Sequence, residues 1–257
     1  MPTEKNEKEI RQLQNHIKEL ANKSYAQNIF LFTDFLGLSE QDAFWQMEAE
    51  LPAHSYRLWG GRENADRVMI RFGDPEDFGY EVEFPITCIH IRPVNQKFAD
   101  ELTHRDFLGA LMNLGVDRST LGDIIVGDKQ AYLFCVENMA EFLCQNLTQV
   151  KHTNVTCTVV VEMQVLKEEE PRMELLQVVS PRVDALIAKT YKMSREESLE
   201  LFRTGKVFVN GRCCENNARV VKQGETVNAR GYGQFTYLGE KGETPKGKLK
   251  VEVAVFR

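Results

Sequence analysis

No apolar run in this chain approaches the ~20 residues that a bilayer-spanning helix needs. The opening stretch MPTEKNEKEIRQLQ has no apolar core of the secretory kind, and it is too acidic for a transit peptide. Both absences point to a cytoplasmic protein. Six cysteines (Cys88, Cys135, Cys144, Cys157, Cys213, Cys214) form no C-x-x-C pair, and the five histidines lack metal-ligand spacing. No zinc site and no cofactor are therefore expected. Cys88, Cys135 and Cys157 sit in apolar, strand-like runs and read as small core residues. Cys213-Cys214, beside a turn, read as two free thiols in a reducing compartment. Neither a G-x-G-x-x-G nor a P-loop follows a strand-like run, which removes the nucleotide-binding readings that rest on them. His104-Arg105-Asp106 has the form of a kinase catalytic loop, but Leu111 stands where that loop needs Asn. The triplet reads better as an ordinary helix start.

Positive charge is scarce before residue 182 and concentrated after it. The whole chain has 32 Lys+Arg and 38 Asp+Glu, and residues 182–257 hold 15 and 9 of them, a net of +6. Subtraction leaves 17 basic and 29 acidic residues for positions 1–181, a net of −12. A basic module on an acidic carrier implies a polyanion site at one end.

Hydrophobic periodicity divides the chain into an α+β arrangement of three regions. Residues 1–80 read as a mixed α/β region. Ile10, Leu13, Ile17 and Leu20 recur at helical spacing, Tyr25–Thr33 looks helical again, and a third helix begins near Ser39 with Phe44 and Met47 on one side. Two short strands, Ser55–Trp59 and Arg67–Phe72, follow around Gly60-Gly61-Arg62. Residues 81–166 alternate as βαββαβ, the order of ferredoxin-like and RNA-recognition folds. Its strands are Phe84–Ile91, Asp123–Val126, Gln130–Cys135 and Asn154–Met163; its helices are His104–Leu114 and Asn138–Leu147. Tyr132 and Phe134 fall where RNA-recognition modules carry stacking aromatics, yet no Lys/Arg-Gly-Phe motif surrounds them, so both are expected in the core. Residues 167–180, with three consecutive Glu, read as a linker. In residues 181–257, Val183, Leu186 and Ile187 mark one helix. Ser194 and Glu197 form a capping box that opens a second. Val207–Val209 leads as a strand into the Asn210-Gly211 turn.

The last region carries an ordered motif: Arg182-Val183-Asp184, Ser194-Arg195, Gly205-Lys206-Val207-Phe208-Val209-Asn210-Gly211 and Gly224-Glu225-Thr226-Val227. It resembles the RNA-binding domain named after small-subunit ribosomal protein four, the S-four domain. Arg230-Gly231-Tyr232-Gly233 and Lys246-Gly247-Lys248 resemble its end in YlmH-like proteins. The stretch from His104 to Gly115, Leu121-Gly122-Asp123-Ile124, Gly60-Gly61-Arg62 and Ala65-Asp66-Arg67 resemble the middle and N-terminal blocks of the same family. The resemblance implies a mixed N-terminal part, an RNA-recognition-like middle and a C-terminal S-four domain. It further implies a non-enzymatic factor on obstructed large ribosomal subunits that hold peptidyl-tRNA.

The residues alone point to structured RNA as the partner, and the resemblance implies that this RNA is rRNA or tRNA. Arg182 and Arg195 open the two helices, where backbone N–H groups also favour phosphate. Arg203 and Lys206 stand at the end of the second helix, and Arg230, Lys246 and Lys248 follow in the β region. A guanidinium holds phosphate with two parallel hydrogen bonds, which supplies affinity but little sequence reading. The alternative is an RNA-modifying enzyme, a pseudouridine synthase or methyltransferase, using the S-four domain to bind substrate. Gly61-Arg62-Glu63 does not fit the Gly-Arg-Leu-Asp context of the former, and no glycine-rich turn of the latter follows a first strand.

Overall fold

Ile17 and Ala21 are buried on one side of α1 (Glu4–Gln27) in the computed structural model of this chain, as helical spacing requires. The structure describes residues 4–51, 56–161 and 171–256. The chain folds as two units, residues 1–166 and 167–257.

In the first unit, Asn28 (φ 51°) ends α1. The helix expected over Tyr25–Thr33 is therefore not continuous. Its apolar residues turn into strand β1 (Leu31–Phe32), whose aromatic and β-branched run suits a pleated surface. Helix α2 (Leu38–Met47) starts one residue before Ser39, and Glu40 caps it by accepting the Gly37 N–H at 2.6 Å. Phe44 and Met47 are buried against Ile17, Ile70 and Phe72. Strands β2 (Tyr56–Trp59) and β3 (Met69–Phe72) complete a three-stranded sheet in the order β1-β3-β2. Pro52 and Ser55, placed by sequence at the helix end and strand start, lie outside the described residues. A short helix, α3 (Pro75–Phe78), closes on Gly79 in the left-handed conformation.

The same unit continues as β4 (Ile86–Pro93), α4 (His104–Met112), β5 (Leu121–Val126), β6 (Ala131–Val136), α5 (Ala140–Asn146), β7 (Gln149–Val150) and β8 (Thr153–Val159). These strands form one antiparallel sheet in the order β5-β6-β4-β8-β7. Strand β6 thus sits between the two strands that α4 connects, the split βαβ arrangement. Asp106 completes the α4 cap by accepting the Thr103 N–H at 2.9 Å, so the kinase-like triplet is a helix start. Phe107, Leu111 and Leu143 of the two helices cover one face of the sheet through Ile89, Ile91 and Leu133. The other face, with Cys88 and Phe134, is partly covered by Phe35, from the segment between β1 and α2, and by Met69 of β3. Phe134 is fully buried as expected, whereas Tyr132 is only half-buried.

The second unit begins with a strand where the sequence reads as linker. Arg172–Val178, read as part of the 167–180 linker, form strand β9. It pairs antiparallel with β14 (Leu249–Phe256) from Arg172↔Val255 to Val178↔Leu249. The run of glutamates before it suggests solvent, but an edge strand needs only one apolar face, supplied here by Leu176 and Val178. Helices α6 (Val183–Thr190) and α7 (Arg195–Arg203) follow, then β10 (Val207–Val209), β11 (Arg212–Cys213), β12 (Thr226–Ala229) and β13 (Gly233–Glu243). The sheet order is β11-β10-β12-β13-β14-β9. Asn210 (φ 51°) and Gly211 (φ 75°) make the tight turn between β10 and β11. Val183, Leu186, Ile187, Leu201 and Phe202 pack on Val227, Phe235 and Val253 to form the core.

Candidate nucleic-acid interface

Arg182 occupies the N-cap position of α6 and turns its guanidinium onto Asp184. Its Nε donates to Oδ1 at 3.0 Å and an Nη to Oδ2 at 2.7 Å. Asp184 is 4% exposed and also accepts the Asn217 amide at 3.0 Å and the Ala185 N–H at 2.8 Å. Burial pushes the Asp184 carboxyl up, but the hydrogen bonds and charge of Arg182, with Asn217, outweigh it and hold the group below its ordinary value. Arg182 therefore neutralises a buried carboxylate and anchors α6.

Arg195 is exposed in the first turn of α7. The N–H groups there are already engaged. Ser194 Oγ accepts the Glu197 N–H at 3.2 Å, and Glu197 Oε2 accepts the Ser194 N–H at 2.7 Å. Glu196 and Glu197 add negative charge at the same place. A phosphate approaching either helix start would thus meet a carboxylate, so the backbone-donor site inferred from sequence is taken by the protein itself. At the other end of α7, Arg203 pairs with Glu200 at 3.3 Å, both side chains more than half exposed. A surface pair of this kind contributes about 0–1 kcal/mol and can open for a phosphate.

The most open cations lie beyond that helix. Gly205 (φ 61°) ends it and Lys206 follows. Pairing of β10 with β12 sets Val207 opposite Ala229, and the Lys206 carbonyl then accepts the Arg230 N–H at 2.9 Å. Two exposed cations, neither with an ion-pair partner among the described residues, therefore stand at the adjoining ends of β10 and β12. Arg230 opens a turn in which Gly231 (φ 93°) and Gly233 (φ 118°) hold Tyr232 between them. The Tyr232 ring is 51% exposed and lies 5.8 Å from the Tyr191 ring. Guanidinium, ammonium and an open phenol ring together can take a phosphate and stack a base. Tyr232 was not among the residues expected to bind. Its signal was present in sequence: two glycines flanking an aromatic mark a turn, where a side chain more often faces solvent.

Lys246 and Lys248 are exposed in the turn from β13 to β14, where Gly247 N–H donates to the Thr244 carbonyl at 2.9 Å. Thr244 is eleven positions beyond Gly233 along β13, at most about 36 Å at ~3.3 Å per residue. The seven predicted cations thus divide into a clamp (Arg182), a group around α7 and Arg230, and a distant hairpin tip.

The family-like motifs of the first unit meet in a structural joint. Asp123 accepts the Asp66 N–H at 2.9 Å, the Arg67 N–H at 3.0 Å and Arg62 Nε at 3.5 Å. The Arg67 guanidinium donates to the carbonyls of Leu121 (2.8 Å), Phe35 (2.9 Å) and Arg118 (3.1 Å). Burial and the neighbouring Arg67 charge push the Arg118 guanidinium down to about 10. Gly61 (φ 90°) lies against the Phe134 ring, where a Cβ would come within 2.4 Å. These residues seat the first sheet on the middle one.

Residues 80–164 match the family described as “Putative RNA-binding domain in YlmH”. Among curated proteins the chain is similar to ribosome-associated protein quality control protein P2 of Bacillus subtilis (strain 168). The two are 26% identical over 243 residues, covering 91% of this chain and 89% of that protein. Among solved structures, cell division protein YlmH from Streptococcus pneumoniae aligns with a TM-score of 0.46 at 20% identity, over 59% of this chain and 91% of the other. The family match thus covers the middle region, and the likeness to the Bacillus relative runs along nearly the whole chain.

Proposed function

We propose that this chain is a non-enzymatic factor that binds structured RNA on the ribosome, at the large subunit with peptidyl-tRNA, in quality control of stalled synthesis. The observation that carries this reading is the Lys206–Arg230 pair, exposed and side by side next to Tyr232, in a segment of net charge +6. The name of the Bacillus relative supplies the ribosomal setting. In this reading residues 181–257 form an S-four module and act in the cytoplasm, and the middle region is RNA-recognition-like. Among the described residues no helix is long and apolar enough to cross a membrane. The enzyme reading is the weaker one, because the residues nearest to catalytic motifs have structural tasks: Asp106 caps α4 and Arg62 binds Asp123.

Sedimentation of lysate on sucrose gradients at low and high salt tests the proposal. The wild-type chain should travel with the large subunit at low salt and leave it at high salt, because phosphate contacts release counterions. Lys206→Ala/Arg230→Ala should leave it at lower salt. Co-sedimentation with the small subunit only, or binding insensitive to salt, would overturn the assignment.

A further inference from the structure

The middle sheet has one face packed on α4 and α5 and another only half covered. On the covered half, Cys88 and Phe134 are fully buried beneath Phe35 and Met69. On the open half, one row of the sheet crosses four strands as Thr158, His90, Tyr132 and Ile125. The His90 and Tyr132 rings stack at 4.5 Å with an interplanar angle of 12°. That separation is close to the ~4.8 Å spacing of neighbouring strands, so the stack runs across the sheet. Gln130 Oε1 holds His90 Nε2 at 2.9 Å and fixes the ring. Beyond His90 the row continues with Thr158, a small exposed residue, so no bulky side chain of that row covers the outer side of the half-buried imidazole.

The surroundings suit a nucleotide. Arg92, two residues from His90 on the same face of β4, is exposed and without an ion-pair partner among the described residues. Lys129 Nζ reaches the Gln96 carbonyl at 3.4 Å, which ties the β5–β6 turn to the segment after β4. In that segment Lys97 lies over the Phe98 ring at 5.8 Å, and Phe98 is 77% exposed. Asp128 is the nearest acidic residue in the turn.

We propose that His90 and Tyr132 form a stacking platform for an unpaired base of single-stranded RNA, flanked by Arg92 and Phe98. This deepens the RNA-binding reading above and rests on it. The ligand class follows from charge. Residues 80–164 hold six Lys+Arg and eleven Asp+Glu, a net of −5, so long runs of phosphate are repelled. Stacking on a flat ring tolerates any base, because every base has a π-face. A paired base has no free face to offer, and the bases of a tight hairpin loop stack on their own stem, so extended single strands are the form bound. Fluorescence anisotropy of the full chain tests this with a short labelled oligouridine and, separately, a stable RNA hairpin. Tyr132→Leu should weaken the oligouridine by about 5- to 100-fold, the worth of one stacked base, and leave hairpin affinity unchanged. Lys206→Ala/Arg230→Ala should do the reverse, and only the hairpin should show a steep salt dependence. Phe98→Ala, at an exposed position, provides the same readout if Tyr132→Leu fails to fold. Unchanged oligouridine affinity in the folded variants overturns the platform, as would a patch that docks protein instead. Hairpin binding without any oligouridine binding overturns the platform but leaves the proposed function standing. Loss of both in the wild-type chain overturns both.

Discussion

Replacing Gly61 by Ala should destabilise the first unit by about 2–5 kcal/mol, from two separable causes. Gly61 has φ 90°, a conformation that costs an L-residue about 1–2 kcal/mol. Its added Cβ would lie 2.4 Å from the Phe134 ring and 3.0 Å from Ile86. Phe134 cannot retreat, being fully buried among Phe35, Met69 and Cys88. Overpacking of this kind costs a further ~1–3 kcal/mol. Gly115 is the control. It has φ 76° with nothing within 4 Å of an added Cβ, so Gly115→Ala should carry the conformational cost alone. At about 2–4 °C per kcal/mol for a unit of this size, Gly61→Ala should lower the melting temperature by roughly 5–20 °C and Gly115→Ala by only a few degrees. Circular dichroism melts of the full chain measure both. A local check is thiol labelling of Cys88, which should become reactive at lower temperature in Gly61→Ala. Equal losses in the two variants would refute the claim that Phe134 is held rigidly under the first sheet.

Asp184 has a depressed pKa in the folded chain, so its contribution to stability is present above its unfolded value near 3.9 and is lost as pH falls through the folded value. Hydrogen exchange of α6 should show Asp184→Asn destabilised at neutral pH, with less further loss than wild type on acidification. Arg195→Ala should change stability by less than ~0.5 kcal/mol, being exposed, whereas Arg182→Ala should clearly destabilise α6. For hairpin RNA, Lys206→Ala/Arg230→Ala should reduce the slope of log K against log salt by about 1.5, two phosphates at ~0.7–0.9 each. Burial pushes the thiols of Cys88 and Cys135 up to about 12, so neither should react with iodoacetamide at neutral pH until the unit unfolds, as mass spectrometry can follow.

Local signals determined much of this molecule before any packing was considered. The Ser194–Glu197 capping box, the Asn210-Gly211 turn and the alternation of Ile89, Cys88 and His90 across β4 depend on spacing within a few residues, and each is found where its spacing put it. The charge division at residue 182 is likewise a property of composition. Other features depended on residues far apart in the chain. Residues 172–178 look like linker until β14 provides a partner for their backbone. The Tyr25–Thr33 stretch has helical spacing, but pairing with β3 turns its end into a strand. Tyr132 and Phe134 are chemically alike and two positions apart on the same face of one strand. Only the arrival of Phe35 and Met69 over one end of the sheet buries the second fully and leaves the first half-buried. Arg182 and Arg230 carry the same charge, yet a carboxylate two residues away takes one and nothing among the described residues takes the other. Burial and pairing are sums over neighbours that tertiary contact brings together, so they decide which of several equivalent side chains remains available to a ligand.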